Sequence, residues 1–447
     1  MRITGLPADR HCQRILTYML RRSKIRKRKG RKQVYLLYID PGTGSMLFTV
    51  LVGLFGAAFY GLRKLIMKLR FTFSGGRQEK ENQNKIPIAI YSDDKRYWNT
   101  FGPICRELER RKEKTVFLTS SPDDPALKEK FRYVECRFIG EGNKGYAKLN
   151  MLSADVLLAT TPGLDVYQWR RSKDVGYYVH ILHMASDATL YRLYGLDYYD
   201  AVLLSGQYQA DQIRKLEAMR NIQPKDLQVV GQPYMDELYR RVKSSRQEKH
   251  DGITVLLAPS WGPSSILNRY GEKVIDALIA TGYHIVVRPH PQSIRSETEL
   301  MDRLMKKYPQ VEWNRDNDNF DILNRADIMI SDFSGVIFDF ALVFGKPVIY
   351  ADTSFDKSPY DAYWLPDELW TFEALRKIGT KLPEEDLGNI RQVIDGCLES
   401  ETFRQEITLL RQQAWEHIGH SAELTADYLI RKKNEITEKE GADHVAG

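Results

Sequence analysis

The sequence is short of cysteine, with only Cys12, Cys105, Cys136 and Cys397 in 447 residues. None forms a CxxC pair and no histidine lies at zinc-ligand spacing from one. That excludes a disulfide framework and leaves single thiols in a reducing compartment. Other motifs are missing too. No GxxxxGK[ST] loop is present, which excludes a P-loop NTPase. No GxGxxG follows the first apolar run, which argues against a dinucleotide dehydrogenase. There is no GxSxG elbow and no HExxH pair. Only one run is long and apolar enough to suggest a membrane span, so a polytopic membrane protein is excluded. Hydrophobic residues make up 43% and charged residues 28%, which places the chain with globular proteins and excludes a collagen-like or wholly disordered one.

Acidic residues are scarce at the start. Residues 1–80 hold 18 Lys and Arg against 3 Asp and Glu, a net of +15, while the whole chain carries only +7. The body is therefore mildly acidic. A body that bound nucleic acid would show its own basic stripe, so no nucleic-acid partner is expected.

Residues 21–32, RRSKIRKRKGRK, place nine cations in twelve positions. Such a block repels itself and is expected to be disordered. Either it meets anionic lipid or RNA, or the chain starts below it, at Val34. After the turn-rich stretch Asp40 to Ser45 comes an uncharged run of seventeen residues, Met46 to Leu62. As a helix it would cover about 25 Å, a little under the ~30 Å of a hydrocarbon core. Leu65, Ile66 and Met67 extend it if Arg63 and Lys64 snorkel. Cations and no small-x-small site follow, so a membrane anchor fits better than a cleaved signal peptide. Gly53, Ala57 and Gly61 recur every four residues, a spacing that lets two membrane helices pair as a homodimer. Arg63, Lys64, Lys68, Arg70 and Arg77 place the following body on the cytosolic face of the cytoplasmic membrane. The block at 21–32 argues the opposite, unless the chain starts near Val34 or the segment inserts as a shallow hairpin.

From Ile86 onward, short apolar runs alternate with amphipathic stretches. Strands are expected at 86–92, 115–120, 155–161, 177–183, 201–206 and 227–231, with helices at 98–112 and 209–220 among them. A polar break at 244–252 follows. Strands then resume at 253–260, 284–291, 326–332 and 346–352, with helices at 271–282 and 297–308. Continuous apolar strands between helices indicate parallel α/β sheets. Two such domains joined near residue 250 would leave a cleft, and ligands of open parallel sheets bind beyond the strands' carboxyl ends.

Residues that follow strands are therefore the informative ones. His180 and His183 close the fourth run at i, i+3. In an extended strand they point to opposite faces, so one is expected at the cleft and the other in the core. A neutral imidazole is the commonest general base near pH 7. Arg288-Pro289-His290-Pro291 holds a cation and an imidazole in a turn stiffened by two prolines, which suits a phosphate or carboxylate. Ser331-Asp332-Phe333-Ser334-Gly335 leads from a strand into an apolar helix, an arrangement that binds anions, although Asp332 or Ser334 would also serve as a plain cap. Ser260, in Pro259-Ser260-Trp261-Gly262, opens toward the same cleft. Asp321 reads as a cap and Lys346 as a solvated side chain. No metal-ligand set is identified, and metal dependence stays open.

Together these segments resemble the CDP-glycerol glycerophosphotransferase family of teichoic-acid-type polymer synthesis. The strongest likeness is SDFSGVIFDFALVFGKPVIYAD at 331–352, against the family's SDYSSxxFDFAxxxKPVIxY. RPHP at 288–291, APSW at 258–261 and VVGQPYMDEL at 229–238 fall in the family's order. The likeness covers roughly 177–430. Two segments depart from the pattern. The family's WHGTP reads Leu182-His183-Met184-Ala185-Ser186 here, and the second serine of SDYSS is Gly335.

The resemblance implies a GT-B fold, two Rossmann-like domains facing across a cleft, and the uncharged run places one N-terminal membrane helix before it. With the segments read above, the chain divides into a basic tail (1–39), a membrane anchor (40–73), a linker (74–85), an acceptor domain (86–248), a CDP-donor domain (249–435) and a disordered tail (436–447). Helices at 402–418 and 421–435 would pack back across the cleft. The implied reaction moves a polyol phosphate, glycerol phosphate first, from a CDP-linked donor to a hydroxyl of a membrane-associated glycan or lipid-linked acceptor, releasing CMP. His183 would be the base. Arg288, His290, Ser331 and Ser334 would hold the diphosphate, with Asp332 and Ser260 beside them and His290 in the chemistry. No cofactor is implied. A GT-B glycosyltransferase using a nucleotide sugar and a non-catalytic membrane-anchored assembly factor of the same fold remain as rivals.

Overall fold

The computed structural model describes residues 85–245, 252–352 and 354–446. The basic tail, the expected anchor with its run at 46–62, and all of the linker but Lys85 lie outside the described residues. Among the described residues, no helix is long and apolar enough to cross a membrane.

Seven parallel strands form the first sheet: β1 Ile86–Ser92, β2 Thr115–Thr119, β3 Val134–Phe138, β4 Ala154–Ala159, β5 Val175–Ile181, β6 Ala201–Leu204 and β7 Asp226–Val229. Their order is β3-β2-β1-β4-β5-β6-β7. Six parallel strands form the second: β8 Thr254–Leu257, β9 His284–Val287, β10 Glu312–Trp313, β11 Ile328–Ser331, β12 Val348–Ala351 and β13 Gly379–Leu382, in the order β10-β9-β8-β11-β12-β13. Each sheet reverses its strand order once, at β1/β4 and at β8/β11. Strands β2, β4, β6, β8, β11 and β12 are buried at every residue. Helices on both faces exclude water there, so these strands read as unbroken apolar runs.

β3, β10 and β13 were not expected from the sequence. All three lie at sheet edges. β3 reads VECRF and exposes three of its five residues, and β10 is two residues long. An edge strand needs no apolar run, so its signal is weak.

Helix Trp98–Arg110 shows how the packing is written. Trp98, Phe101, Ile104, Cys105 and Leu108 recur at helical spacing and are buried against the first sheet. The C-terminal helices return, but the second runs on to Ala446, so the stretch expected as a disordered tail continues the helix. Helix Glu401–Ala414 buries Ile407, Leu410 and Ala414 in the core of the second sheet. The chain then crosses over, and helix Ser421–Ala446 lays Ala426, Tyr428 and Leu429 among Ile88, Ile104 and Leu108 of the first. Asp236 fixes the crossing. Its carboxylate accepts from Trp415 Nε1 at 3.0 Å, Gly419 N at 2.7 Å and Ser421 N at 2.9 Å.

A loop beside the first sheet is held from the second. Asp187 accepts from Trp370 N at 3.2 Å and Thr371 N at 2.7 Å, so it caps helix Trp370–Ile378. Asp361 accepts from Tyr194 N at 2.6 Å and Gly195 N at 3.2 Å and pairs with Arg220, which also binds Asp197 at 2.7 Å. Asp361 and Arg220 are 1% and 3% exposed at their side chains. Removing one partner of such a buried pair strands the other charge, at a cost of about 3–5 kcal/mol. Asp361→Ala should therefore melt well below wild type in calorimetry. An unchanged Tm would show that this clasp contributes nothing.

Candidate active site

The strand-order reversals mark where ligands of such sheets bind. In the first sheet the segments beyond the carboxyl ends are Asp93 to Tyr97 after β1, Thr160 and Thr161 after β4, and His183 after β5. In the second they are Ser260 and Trp261 after β8, Arg288 to Pro291 after β9, and Asp332 to Gly335 after β11. The two sets face each other, because Arg295 on helix Pro291–Ser296 reaches Asp94 at 3.2 Å.

His183 lies two residues past the end of β5 and is partly buried. Its Nδ1 is 3.0 Å from Thr160 Oγ1. The Thr160 hydroxyl has one proton and donates it to Ile181 O at 2.9 Å. Nδ1 must therefore carry the proton and donate to Thr160. That leaves Nε2 with a free lone pair. Burial, helped by the Arg96 guanidinium and by His290, pushes the His183 pKa down to about 3. The ring is neutral at pH 7 and able to accept a proton.

His290 is set the opposite way. It caps helix Pro291–Ser296, its Nδ1 accepting from Gln292 N at 3.0 Å. Nδ1 is therefore unprotonated and Nε2 carries the hydrogen. Burial, with the charge of Arg96, pushes its pKa down to about 4. One imidazole offers a lone pair and the other a donor, and the same arginine acts on both. A Trp261 ring lies 6.4 Å from His290.

The expectation for His180 needs correction. It is fully buried, as a core histidine should be, but it does not belong to a separate face. Tyr191 Oη lies 3.1 Å from His180 Nε2 and 3.3 Å from His183 Nδ1. The strand ends at Ile181, so the period-2 alternation stops before His183 and both rings reach one hydroxyl.

Of the other expected residues, some stand open and some are committed. The Ser260 hydroxyl is buried and has no hydrogen-bond partner among the described residues. Ser334 makes no side-chain hydrogen bond among them; only its carbonyl is used, by Ile337 N at 3.1 Å. Ser331 is instead structural, its hydroxyl fully buried and donated to Ala258 O between β11 and β8. Asp332 is likewise engaged with the protein's own backbone. Its carboxylate accepts from Ser260 N at 3.0 Å, Phe333 N at 2.7 Å and Ile266 N at 2.9 Å, which shapes the turn after β8. Arg288 spends two of its N–H groups on Asn314 Oδ1 and, at 2.8 Å, on Asp316 O, so it also braces the loop after β10. Lys346 is not solvated. Its ammonium is partly buried and donates to Asn324 O at 2.7 Å and to Ala326 O, closing helix Phe320–Arg325, and burial pushes its pKa down to about 8.

Residues not singled out in the sequence complete the site. Among the described residues, Asp93 Oδ1, Arg96 Nε and Thr161 Oγ1 are buried without a hydrogen-bond partner at the end of the first sheet, as Ser260 Oγ is at the second, and Arg96 Nε has only a long ion pair to Asp94 at 3.7 Å. Buried polar atoms are normally paired, so orphans gathered at both strand-order reversals mark where a polar ligand belongs. Asp339, in a π turn at Asp339–Val343, is buried, and burial pushes its pKa up to about 8. π turns cluster at functional sites. Among the described residues no group of three or more His, Cys, Asp or Glu could hold a metal ion.

Residues 179–363 match the family model described as CDP-Glycerol:Poly(glycerophosphate) glycerophosphotransferase. No curated protein matches the sequence. Among solved structures, the wall teichoic acid polymerase TagF aligns at a TM-score of 0.55 and 12% identity, over 87% of this chain and 99% of that chain. The same polymerase as a variant soaked with CDPG aligns at 0.56 and 12% identity, over 87% and 99%. This likeness is one of fold, and it identifies the two parallel sheets as GT-B-like.

Proposed function

We propose that this chain, an enzyme of the CDP-glycerol:poly(glycerophosphate) glycerophosphotransferase family by its residues 179–363, transfers glycerol phosphate from CDP-glycerol to the hydroxyl of a poly(glycerophosphate) acceptor. The observation that carries the reading is the pair of complementary imidazoles, His183 with a free Nε2 lone pair and His290 with a free Nε2 hydrogen.

The reaction follows from that pair. The acceptor oxygen attacks the β-phosphorus, which bears the glycerol. Its proton passes to His183 Nε2. The bond from the β-phosphorus to the bridging oxygen breaks, and CMP leaves with that oxygen. Among the described residues, His290 Nε2–H, Ser334 and Arg96, which has only a long ion pair to Asp94, are the donors that would meet the diphosphate as charge moves toward CMP. Phosphoryl transfer asks the protein mainly for position and charge stabilisation, which such fixed donors provide. The donor diphosphate would also raise the His183 pKa from its low value toward the range where a base works best.

Purified full-length protein incubated with CDP-, UDP- and GDP-linked donors tests the reading. CMP release from CDP-glycerol supports it. UDP or GDP release from a sugar donor, with CDP-glycerol untouched, would favour the glycosyltransferase.

The uncharged run at 46–62 and the cations after it support a further part of the proposal: a cytoplasmic-membrane anchor with the described body on the cytosolic face. Small residues spaced by four support pairing of two such anchors. Fractionation with protease protection in spheroplasts is expected to leave the body in the membrane fraction and protected from outside. Recovery of full-length protein in the soluble fraction would remove the anchor, and digestion from outside would reverse the orientation.

A further inference from the structure

Met184 and Gly335, one residue from each of the two departing segments, meet in one contact. A Cβ on residue 335 would lie 3.0 Å from Met184 Cγ and 3.3 Å from its Cβ, and closer still to Sδ. Gly335 has φ −59° and ψ −23°, ordinary right-handed helix values that any residue adopts. Glycine is therefore not there for its backbone freedom. It is there because the Met184 side chain occupies the space a β-carbon would need. The bulk that the family pattern carries as serine after β11 is carried here by a methionine arriving from the end of β5.

Both residues border the chemistry. Met184 follows His183 directly, and Gly335 follows Ser334. The path from the base to the turn after β11 thus runs through one van der Waals contact across the cleft. Met184 is anchored in turn, because its carbonyl accepts from Gln209 Nε2 at 3.2 Å.

We propose that Met184 and Gly335 form a matched spacer that sets the distance between the His183 base and the phosphate-holding turn at Ser334. This rests on the glycerophosphotransferase reading above. Neither residue touches reacting atoms; both act as positioning residues. Attack in line on phosphorus requires near-contact geometry, and a misplacement of about 1 Å can cost ~10²-fold in rate. A spacer of this kind should therefore show in kcat with the donor KM little changed.

The test is a mutant cycle on the full chain, read by CMP release and by Tm. Gly335→Ser puts a side chain into the methionine and is expected to lower kcat by roughly 10- to 100-fold. Adding Met184→Gly restores the bulk pattern of the family and should recover kcat to within a few-fold. Met184→Ala alone removes the spacer without a clash, so it keeps the test informative if Gly335→Ser folds poorly; it should lower kcat at near-wild-type Tm and donor KM. The Tm cycle reads the contact with no substrate present, so a wrong donor and a wrong contact give different patterns. Additive effects of the two substitutions on kcat would overturn the proposal. So would coupling seen in Tm with kcat unchanged in every folded variant, which would reduce the contact to packing.

Discussion

His183→Ala is expected to lower kcat by about 10²–10⁴-fold, the usual contribution of a positioned general base. The donor KM should move little, because the base meets the acceptor and not the diphosphate. Thr160 donates to Ile181 O and so fixes the His183 proton on Nδ1, which leaves Nε2 as acceptor. Thr160→Val should then cost activity as well, since it frees the ring to take the wrong tautomer. The pH dependence carries a definite sign. With His183 pushed down to about 3, the ring in free enzyme stays neutral as pH falls below the ordinary histidine value. kcat/KM should therefore hold through pH 6 rather than fall with a pKa near 6.5. Folding stability behaves oppositely. The unfolded chain gains a proton near pH 6.5 that the folded ring refuses until about pH 3, so stability contributed by the neutral ring is complete above 6.5 and is lost as pH falls through that window. Buried Asp339, pushed up to about 8, contributes with the opposite sign, so the histidine is read as a difference: a Tm change between pH 6.5 and pH 4 identical in wild type and His183→Ala would contradict the buried neutral histidine.

His290→Ala should give the second large effect, a fall in kcat of roughly 10²–10³-fold, typical of one lost stabiliser of developing charge. It differs from His183→Ala in its partners. His290 Nδ1 is used by Gln292 N, so its only free polar group is the Nε2 hydrogen. Its loss should be felt on the donor side, with a raised KM where the contact already exists before reaction. Arg288→Ala should act differently again. That guanidinium braces Asn314 and Asp316, so its removal should lower Tm along with donor use. Steady-state kinetics and melts on the two variants separate the roles. Wild-type kinetics from both folded proteins would remove the turn at 288–291 from the site.

The sequence was most legible where burial leaves a strong pattern. Strands such as β1 and β4 are enclosed on both faces, so their apolar runs marked them to within a residue or two. β3 and β10 lie at edges and carry polar residues, which erased the signal. In the site, His183 and His290 could be found because each closes a strand in a motif. What spacing could not show was how each side chain spends its hydrogen bonds. Ser331 and Asp332 look like ligands in a string of letters, yet their polar atoms are consumed in joining β11 to the turn after β8. Asp93 and Arg96 were passed over although they also follow a strand at a reversal point. The charged stretch Asp93-Asp94-Lys95-Arg96 was the available clue, and the same strand-end rule would have selected it.

The proposed reaction forms its new bond to phosphorus. The direct measurement is the nucleotide product from CDP-glycerol, resolved by ion-exchange chromatography, counted against glycerol phosphate gained by the acceptor with the full-length protein. CMP is expected, one for each glycerol phosphate transferred, and almost none from His183→Ala. Release of CDP with transfer of bare glycerol would mean attack at carbon, and would contradict the proposed reaction.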